Sequence, residues 1–210
     1  RIFFLIRGNH ETKDMTQIYG FHDECIQRFG DQEGEEVYQA YLKVFEYLPL
    51  AAIISSEVTP QKKIFCVHGG LAPSFENIQQ LKDVKFPLKI EKEEMDKNVT
   101  FIRDILWSDP SDKIDEYSAN ELRDGAYNFG LEAVKKFCQK NNVTSIFRAH
   151  QVVISGYEYP FRKNKNDDSV LTIFSSPNYC DELRNTGAMV NVNDAMEFTF
   201  TTVVTSLFSI

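Results

Sequence analysis

Lys63-Ile64-Phe65-Cys66-Val67-His68-Gly69-Gly70 decides the reading of the fold: a short apolar run that stops on a histidine followed by two glycines. Such a run reads as a strand buried on both faces, the kind found in sheets covered by helices. The pattern recurs twice. Ile2-Phe3-Phe4-Leu5-Ile6 leads into Arg7-Gly8-Asn9-His10, and Ile146-Phe147 leads into Arg148-Ala149-His150. Three of the four histidines therefore stand just past an apolar strand, and the C-terminal ends of strands are where α/β sheets gather their sites. Glycines beside two of them permit a sharp turn or the close approach of a ligand. His22, inside Tyr19-Gly20-Phe21-His22-Asp23, lacks that setting and reads as structural.

Outward from these strands, Ala51 to Ser55 pairs naturally with Lys63 to Val67 as a hairpin, because Glu57 to Lys62 between them has turn chemistry. Glu33 to Leu48 is amphipathic at helical spacing, with Val37, Tyr38, Tyr41, Leu42, Phe45 and Leu48 on one side, and Pro49 ends it. Leu131 to Asn142 is a second such helix, stopped by its Asn pair. Ser169 to Phe174, Gly187 to Val192 and Met196 to Val204 read as strands, the last two joined by a turn at Asn193-Asp194. Lys85 to Asn98 is rich in Lys and Glu and reads as a solvated excursion. Strands alternating with helices predict an α/β fold.

Composition removes several classes. With 210 residues, 42% of them hydrophobic, disorder, collagen and coiled coil are excluded. Lys and Arg number 23 against 31 Asp and Glu, a net charge of -8 that argues against nucleic acid as a main partner. Tyr47 to Ile54, the longest apolar stretch, contains Pro49 and is too short to span a bilayer, so no membrane partner is expected. Cys25, Cys66, Cys138 and Cys180 never form Cys-x-x-Cys, which predicts reduced thiols and residence in the cytoplasm or nucleus. The chain opens on Arg1 inside an apolar run without an initiator Met, so a fragment lacking its upstream part is expected.

Imidazoles combined with amide or carboxylate oxygen suit Mn, Fe or Zn, and metal-assisted hydrolysis is the leading chemical idea. Arg7-Gly8-Asn9-His10-Glu11, His68-Gly69-Gly70-Leu71-Ala72-Pro73, Leu106-Trp107-Ser108-Asp109-Pro110, Arg148-Ala149-His150 and Ser176-Pro177-Asn178-Tyr179-Cys180 resemble, in order, the motifs of the PPP family of serine/threonine protein phosphatases. The resemblance implies a metallophosphatase-type mixed-sheet β-sandwich flanked by helices, N-terminally truncated, with residues 1–210 as the C-terminal portion of one catalytic domain. It implies that Asn9, His68 and His150 bind one ion of a two-metal centre, that His10 is the general acid, that Arg123 clamps the phosphate, and that Tyr179 is an active-site tyrosine. It also implies phosphoprotein substrates and regulatory subunits, with features of both type 1 phosphatases and calcineurin.

The family's G-D-x-H-G and G-D-x-x-D-R-G motifs, which supply the other metal's ligands, are absent. The chain as it stands is therefore expected to hold ligands for one of two ions and to be feebly active at best. Asp124 replaces a usual glycine beside Arg123, which is expected to perturb the phosphate clamp. Trp107 and Tyr127 read first as packing residues, and Cys180 as a small packing residue rather than a nucleophile. A metallophosphodiesterase and a catalytically dead phosphatase-like binding module are the alternatives.

Overall fold

The computed structural model describes residues 3–90, 100–123 and 125–205. In chain order its elements are α1 (Lys13–Ile18), α2 (Phe21–Phe29), α3 (Asp31–Phe45), β1 (Ala51–Ser55), β2 (Lys63–Val67), α4 (Phe101–Trp107), β3 (Asp109–Pro110), β4 (Tyr117–Asn120), β5 (Ala126–Phe129), α5 (Leu131–Asn141), β6 (Ser145–Arg148), β7 (Tyr157–Glu158), α6 (Arg162–Lys165), β8 (Val170–Ile173), β9 (Gly187–Val192) and β10 (Phe198–Val203). Short 3-10 turns lie at Ile78–Asp83 and Tyr179–Asp181.

The central sheet runs β1-β2-β6-β8-β7. β1 and β2 form the expected antiparallel hairpin, with Ala51 opposite Val67 and Ser55 opposite Lys63. β2, β6 and β8 are parallel, with Phe65 beside Ile146 and Phe147 beside Leu171. Alternation along these strands divides the molecule into layers. Phe65, Val67, Ile146 and Val170 face the larger core, where Phe75, Phe101, Ile105, Phe129, Val134 and Phe137 from the helical side meet them. Ile64, Phe147 and Leu171 face the other way, onto Val190, Val192, Phe198 and Phe200 of the β9-β10 hairpin. The result is a mixed sheet with the β9-β10 hairpin on one face and, on the other, helices together with a small three-stranded sheet in the order β3-β5-β4, in keeping with the α/β fold expected.

α5 stops one residue earlier than its pattern, at Asn141, because Asn142 takes the left-handed conformation (φ 51°) that asparagine tolerates. α3 is shifted toward the N-terminus relative to the expected Glu33 to Leu48, beginning after Gly30 and ending at Phe45. α2 packs against it through Phe21 and Tyr41, whose ring centroids are 5.1 Å apart, and through His22 Nε2, 2.8 Å from Glu35 Oε2. His22 is thus structural, as read.

Several expectations fail. Residues 3–6 form no strand, and Phe3, Phe4 and Leu5 are 84%, 84% and 69% exposed, because no strand among the described residues lies alongside to pair with them. Lys85 to Asn98 is not simply a solvated excursion: Leu88 and Ile90 are buried in the core, while residues 91–99 lie outside the described set. Met196 does not begin β10. It is buried at φ 58° in a five-residue connection from Asn193 to Glu197, where the tight Asn193-Asp194 turn was expected.

The glycines after His68 serve packing rather than ligand approach. A Cβ on Gly70 would lie 2.1 Å from Cε1 of Phe129, whose side chain is fully buried. Gly70→Ala is expected to cost about 1–3 kcal/mol through overpacking, read as a lower urea midpoint at unchanged m-value.

Candidate active site

β2 and β6 are parallel neighbours, so the residues that follow them emerge side by side. His68 directly follows β2 and His150 lies two residues past β6, and the Ala149 N–H donates to the His68 carbonyl at 3.0 Å. His150 sits at φ 62°, a left-handed conformation that costs a non-glycine residue about 1–2 kcal/mol and is concentrated at functional sites. Asn9 arrives from a turn held by its own side chains. Arg7 is buried, donating from Nη1 to the Leu88 carbonyl at 2.7 Å and from Nε to the Glu11 carbonyl at 3.0 Å. The Gly8 N–H donates to Glu11 Oε2 at 2.7 Å, and Thr12 Oγ1 donates to the Asn9 carbonyl at 3.1 Å.

These constraints bring three donor atoms together. Asn9 Oδ1 lies 2.6 Å from His68 Nε2 and 3.3 Å from His150 Nδ1, and Asn9 is 2% exposed. Burial lowers both imidazoles, His68 to about 3 and His150 to about 2, with the Arg148 guanidinium adding to the effect. Both rings are therefore neutral at physiological pH, the state in which imidazole ligates a metal. His150 Nε2 is buried without a hydrogen-bond partner, 3.9 Å from Asp109 Oδ1. With its Nδ1 lone pair engaged by a cation, that nitrogen would carry its proton toward the carboxylate, the usual support for a ligating histidine.

Acid should expose this arrangement. A histidine held below its ordinary value leaves the unfolded chain, near 6.5, binding the extra proton, so stability is intact above pH 6.5 and falls as pH drops toward about 3. Unfolding of metal-free protein followed between pH 7 and 4 is expected to show a loss on the order of 1 kcal/mol per pH unit or more. A flat profile over that interval would contradict the burial of both rings.

Behind these donor atoms lies a network that the sequence did not disclose. The Arg148 side chain is wholly buried, and its Nη2 donates to Asp109 Oδ1 at 2.9 Å and to the Ser108 carbonyl at 3.0 Å. Its Nε reaches the Gly69 carbonyl at 2.6 Å, and its Nη1 reaches Gln151 Oε1 at 2.9 Å. Burial lowers Arg148 to about 10, with Asp109 opposing, so it stays charged at neutral pH. The other Asp109 oxygen, Oδ2, accepts from Asn120 Nδ2 at 3.1 Å and from Arg123 Nε at 3.3 Å. Asp109 thus fixes the base of the Arg123 guanidinium, whose terminal nitrogens make no hydrogen bond among the described residues. Asp109 and Arg148 stood inside quoted motifs, yet their partnership joins residues 39 apart and has no local signal.

Asn9, His10, His68, Arg123, His150 and Tyr179, all six residues singled out from the sequence, line one cleft of about 650 Å³. Trp107, read first as packing, does both: it packs against the core and also lines the cleft, edge-on to His150 at 5.5 Å between centroids. Tyr127 packs against the core, as read. Cys180 is exposed at the cleft rim at φ 57°, so it is not the packing residue expected. All four cysteines are unpaired. Tyr19, which the sequence did not single out, also lines the cleft and stacks on His10. Asp124 lies outside the described residues. Among those described, no helix is long and apolar enough to cross a membrane.

Two neutral imidazoles and an amide oxygen converging within hydrogen-bond distance fit a borderline divalent cation. Among the described residues no group of three or more His, Cys, Asp or Glu side chains could hold a metal ion, so these three donors are a partial ligand set.

A family model for calcineurin-like phosphoesterases matches residues 1–153. Among solved structures, a protein serine/threonine phosphatase from Saccharomyces cerevisiae with similarity to human phosphatase PP5 superposes at a TM-score of 0.77 and 27% identity, over 99% of this chain. The chain spans 62% of that protein's length. The family match carries the implication of divalent metal cofactors, in keeping with the donors at Asn9, His68 and His150. On the mixed sheet, the strand-end histidines and these two matches, the chain belongs to the calcineurin-like phosphoesterase family, as a metallophosphatase of the PPP type.

Proposed function

We propose that the cleft hydrolyses phosphoserine and phosphothreonine in proteins. The observation that carries this reading is that the Arg123 guanidinium opens into the same cleft as Asn9, His68 and His150. A guanidinium held at its base by a carboxylate presents its remaining N–H groups in the fork that suits phosphate oxygens, a geometry lysine does not reproduce. Asn9, His68 and His150 hold one of two divalent ions of the Mn, Fe or Zn type. When bound, such an ion supplies Lewis acidity to phosphoryl and water oxygens. Arg123 binds and orients the phosphate, His10 donates its proton to the departing serine or threonine oxygen, and Tyr179 lines the same cleft. Cys180 has no part in bond making, since water rather than a side chain is the attacking group. Phosphoproteins are the substrates, regulatory subunits the further partners, and the cytoplasm or nucleus the place of action.

The test compares a phosphothreonine peptide with an aryl phosphodiester, using the full chain supplied with Mn²⁺. The monoester is expected to be preferred, and Arg123→Lys to lower kcat/KM on it by roughly 10-fold or more. Preference for the diester would favour a phosphodiesterase. Retention of the peptide without hydrolysis would favour a binding module, the reading that the partial ligand set supports.

A further inference from the structure

Between β8 and β9 the chain leaves the sheet in a loop whose backbone is costly to hold. Asn178, Cys180, Asp181 and Arg184 carry φ of 49°, 57°, 58° and 50°. A left-handed backbone is disfavoured for any residue with a Cβ, so such a cluster persists only where its surroundings over-determine it, as at ligand clamps and active sites. Tyr179, in the midst of these residues, lines the cleft beside Phe174, Ser176 and Cys180.

One side chain closes the neck of the loop. Asn185 is 2% exposed, and its Oδ1 accepts from the Tyr179 N–H at 2.8 Å while its Nδ2 donates to the carbonyls of Ser176 at 2.8 Å and Thr186 at 3.1 Å. Its own carbonyl accepts from the Asn178 N–H at 2.9 Å. Asn178 adds a second tie, its Oδ1 accepting from the Arg184 N–H at 3.3 Å, and the Leu183 N–H reaches the Tyr179 carbonyl at 3.2 Å. So held, the Tyr179 ring stands edge-on to Phe174, with centroids 5.1 Å apart and planes at 88°. A buried amide whose donor and acceptor are both engaged rigidifies the backbone it joins, and its removal leaves those backbone groups unpaired. Asn185 lies outside the Ser176 to Cys180 motif and does not itself line the cleft.

We propose that Asn185 is a positioning residue for Tyr179, holding its ring as the wall of the cleft against which a substrate peptide packs. This rests on the reading of the cleft as a phosphopeptide site. The carboxamide touches no substrate and acts only through the backbone of the loop.

The test uses the full chain labelled with 3-fluorotyrosine, with the Tyr179 resonance assigned by its loss in Tyr179→Phe. In Asn185→Ala that resonance is expected to move toward the position of a free fluorotyrosine as the ring leaves Phe174, while the resonances of buried Tyr38 and half-buried Tyr117 stay in place. Asn185→Ser, whose hydroxyl can replace only part of the bonding, should lie between Asn185→Ala and the wild type. An unmoved Tyr179 resonance in folded Asn185→Ala overturns the proposal. So does loss of folding in both variants, shown by the Tyr38 and Tyr117 resonances, since Asn185 would then serve the whole fold. On a phosphothreonine peptide with Mn²⁺, Asn185→Ala is expected to raise KM by about 10-fold with kcat within about threefold, the pattern of a lost binding contact. A nitrophenyl phosphate, which carries no peptide to meet the wall, should be spared. In the Tyr179→Ala background Asn185→Ala should have no further effect on KM, and an additive rise there would contradict action through Tyr179. Trp107, the chain's one tryptophan, lines the same cleft, so quenching of its fluorescence gives the peptide Kd without turnover. A wild type that binds the peptide without releasing phosphate would count against the hydrolytic reading alone, and the same 10-fold comparison of Kd values would still decide the role of Asn185.

Discussion

Asp109→Ala is expected to lower the unfolding free energy by about 3–5 kcal/mol, because it leaves a buried guanidinium without its counter-charge. Arg148 has a side-chain exposure of 0% and Asp109 of 7%, and the ion pair between them is the one described for Arg148. The same arginine ties together the turn after β2, the end of α4 and the loop after β6 through Gly69, Ser108 and Gln151. A loss of that size corresponds to a fall in Tm of roughly 6–20 °C for a domain of this length. The double replacement Asp109→Leu with Arg148→Met should cost less than the two single changes added together, since it removes both charges at once. A single-variant loss below about 1 kcal/mol would mean that water reaches the guanidinium. Asp109→Ala also frees Arg123, so any folded fraction should bind phosphate more weakly than wild type.

His68→Ala and His150→Ala are each expected to weaken Mn²⁺ binding by more than roughly 100-fold, since outer-shell partners of metal ligands already contribute 10–100-fold. His10→Asn should leave that affinity unchanged and lower turnover by about 10² to 10⁴-fold, the ordinary contribution of a general acid. Titration of each variant with Mn²⁺, followed by phosphate release, separates the two roles. Equal metal loss in all three would contradict the division between ligands and acid.

Much of this is legible in the sequence. The β1-β2 hairpin matches residue for residue, since its apolar runs and turn chemistry agree. His68 and His150 meet in the cleft because parallel neighbouring strands deliver their C-terminal ends to one place, whereas Asn9, His10, Arg123 and Tyr179 reach it on turns and loops. The remaining features are of two kinds. α2 carries Phe21, Cys25 and Phe29 at intervals of four between Gly20 and Gly30, a helical signal local to the sequence. The Asp109–Arg148–Arg123 network and the Tyr19–His10 stack are tertiary: no spacing in the chain announces which buried charges will face each other. The opposite error came at Phe3 to Leu5, where apolar composition suggested burial but pairing decides whether a strand forms. Met196 is a similar case, since the period-two pattern of β10 runs back into the connection, where Met196 is left-handed.

The most direct test follows phosphate release from a phosphothreonine peptide by the full chain, with and without added Mn²⁺. Slow release that requires the metal, and that His10→Asn suppresses, is the predicted result. Peptide bound stoichiometrically with no phosphate released, whether or not Mn²⁺ is present, would contradict it.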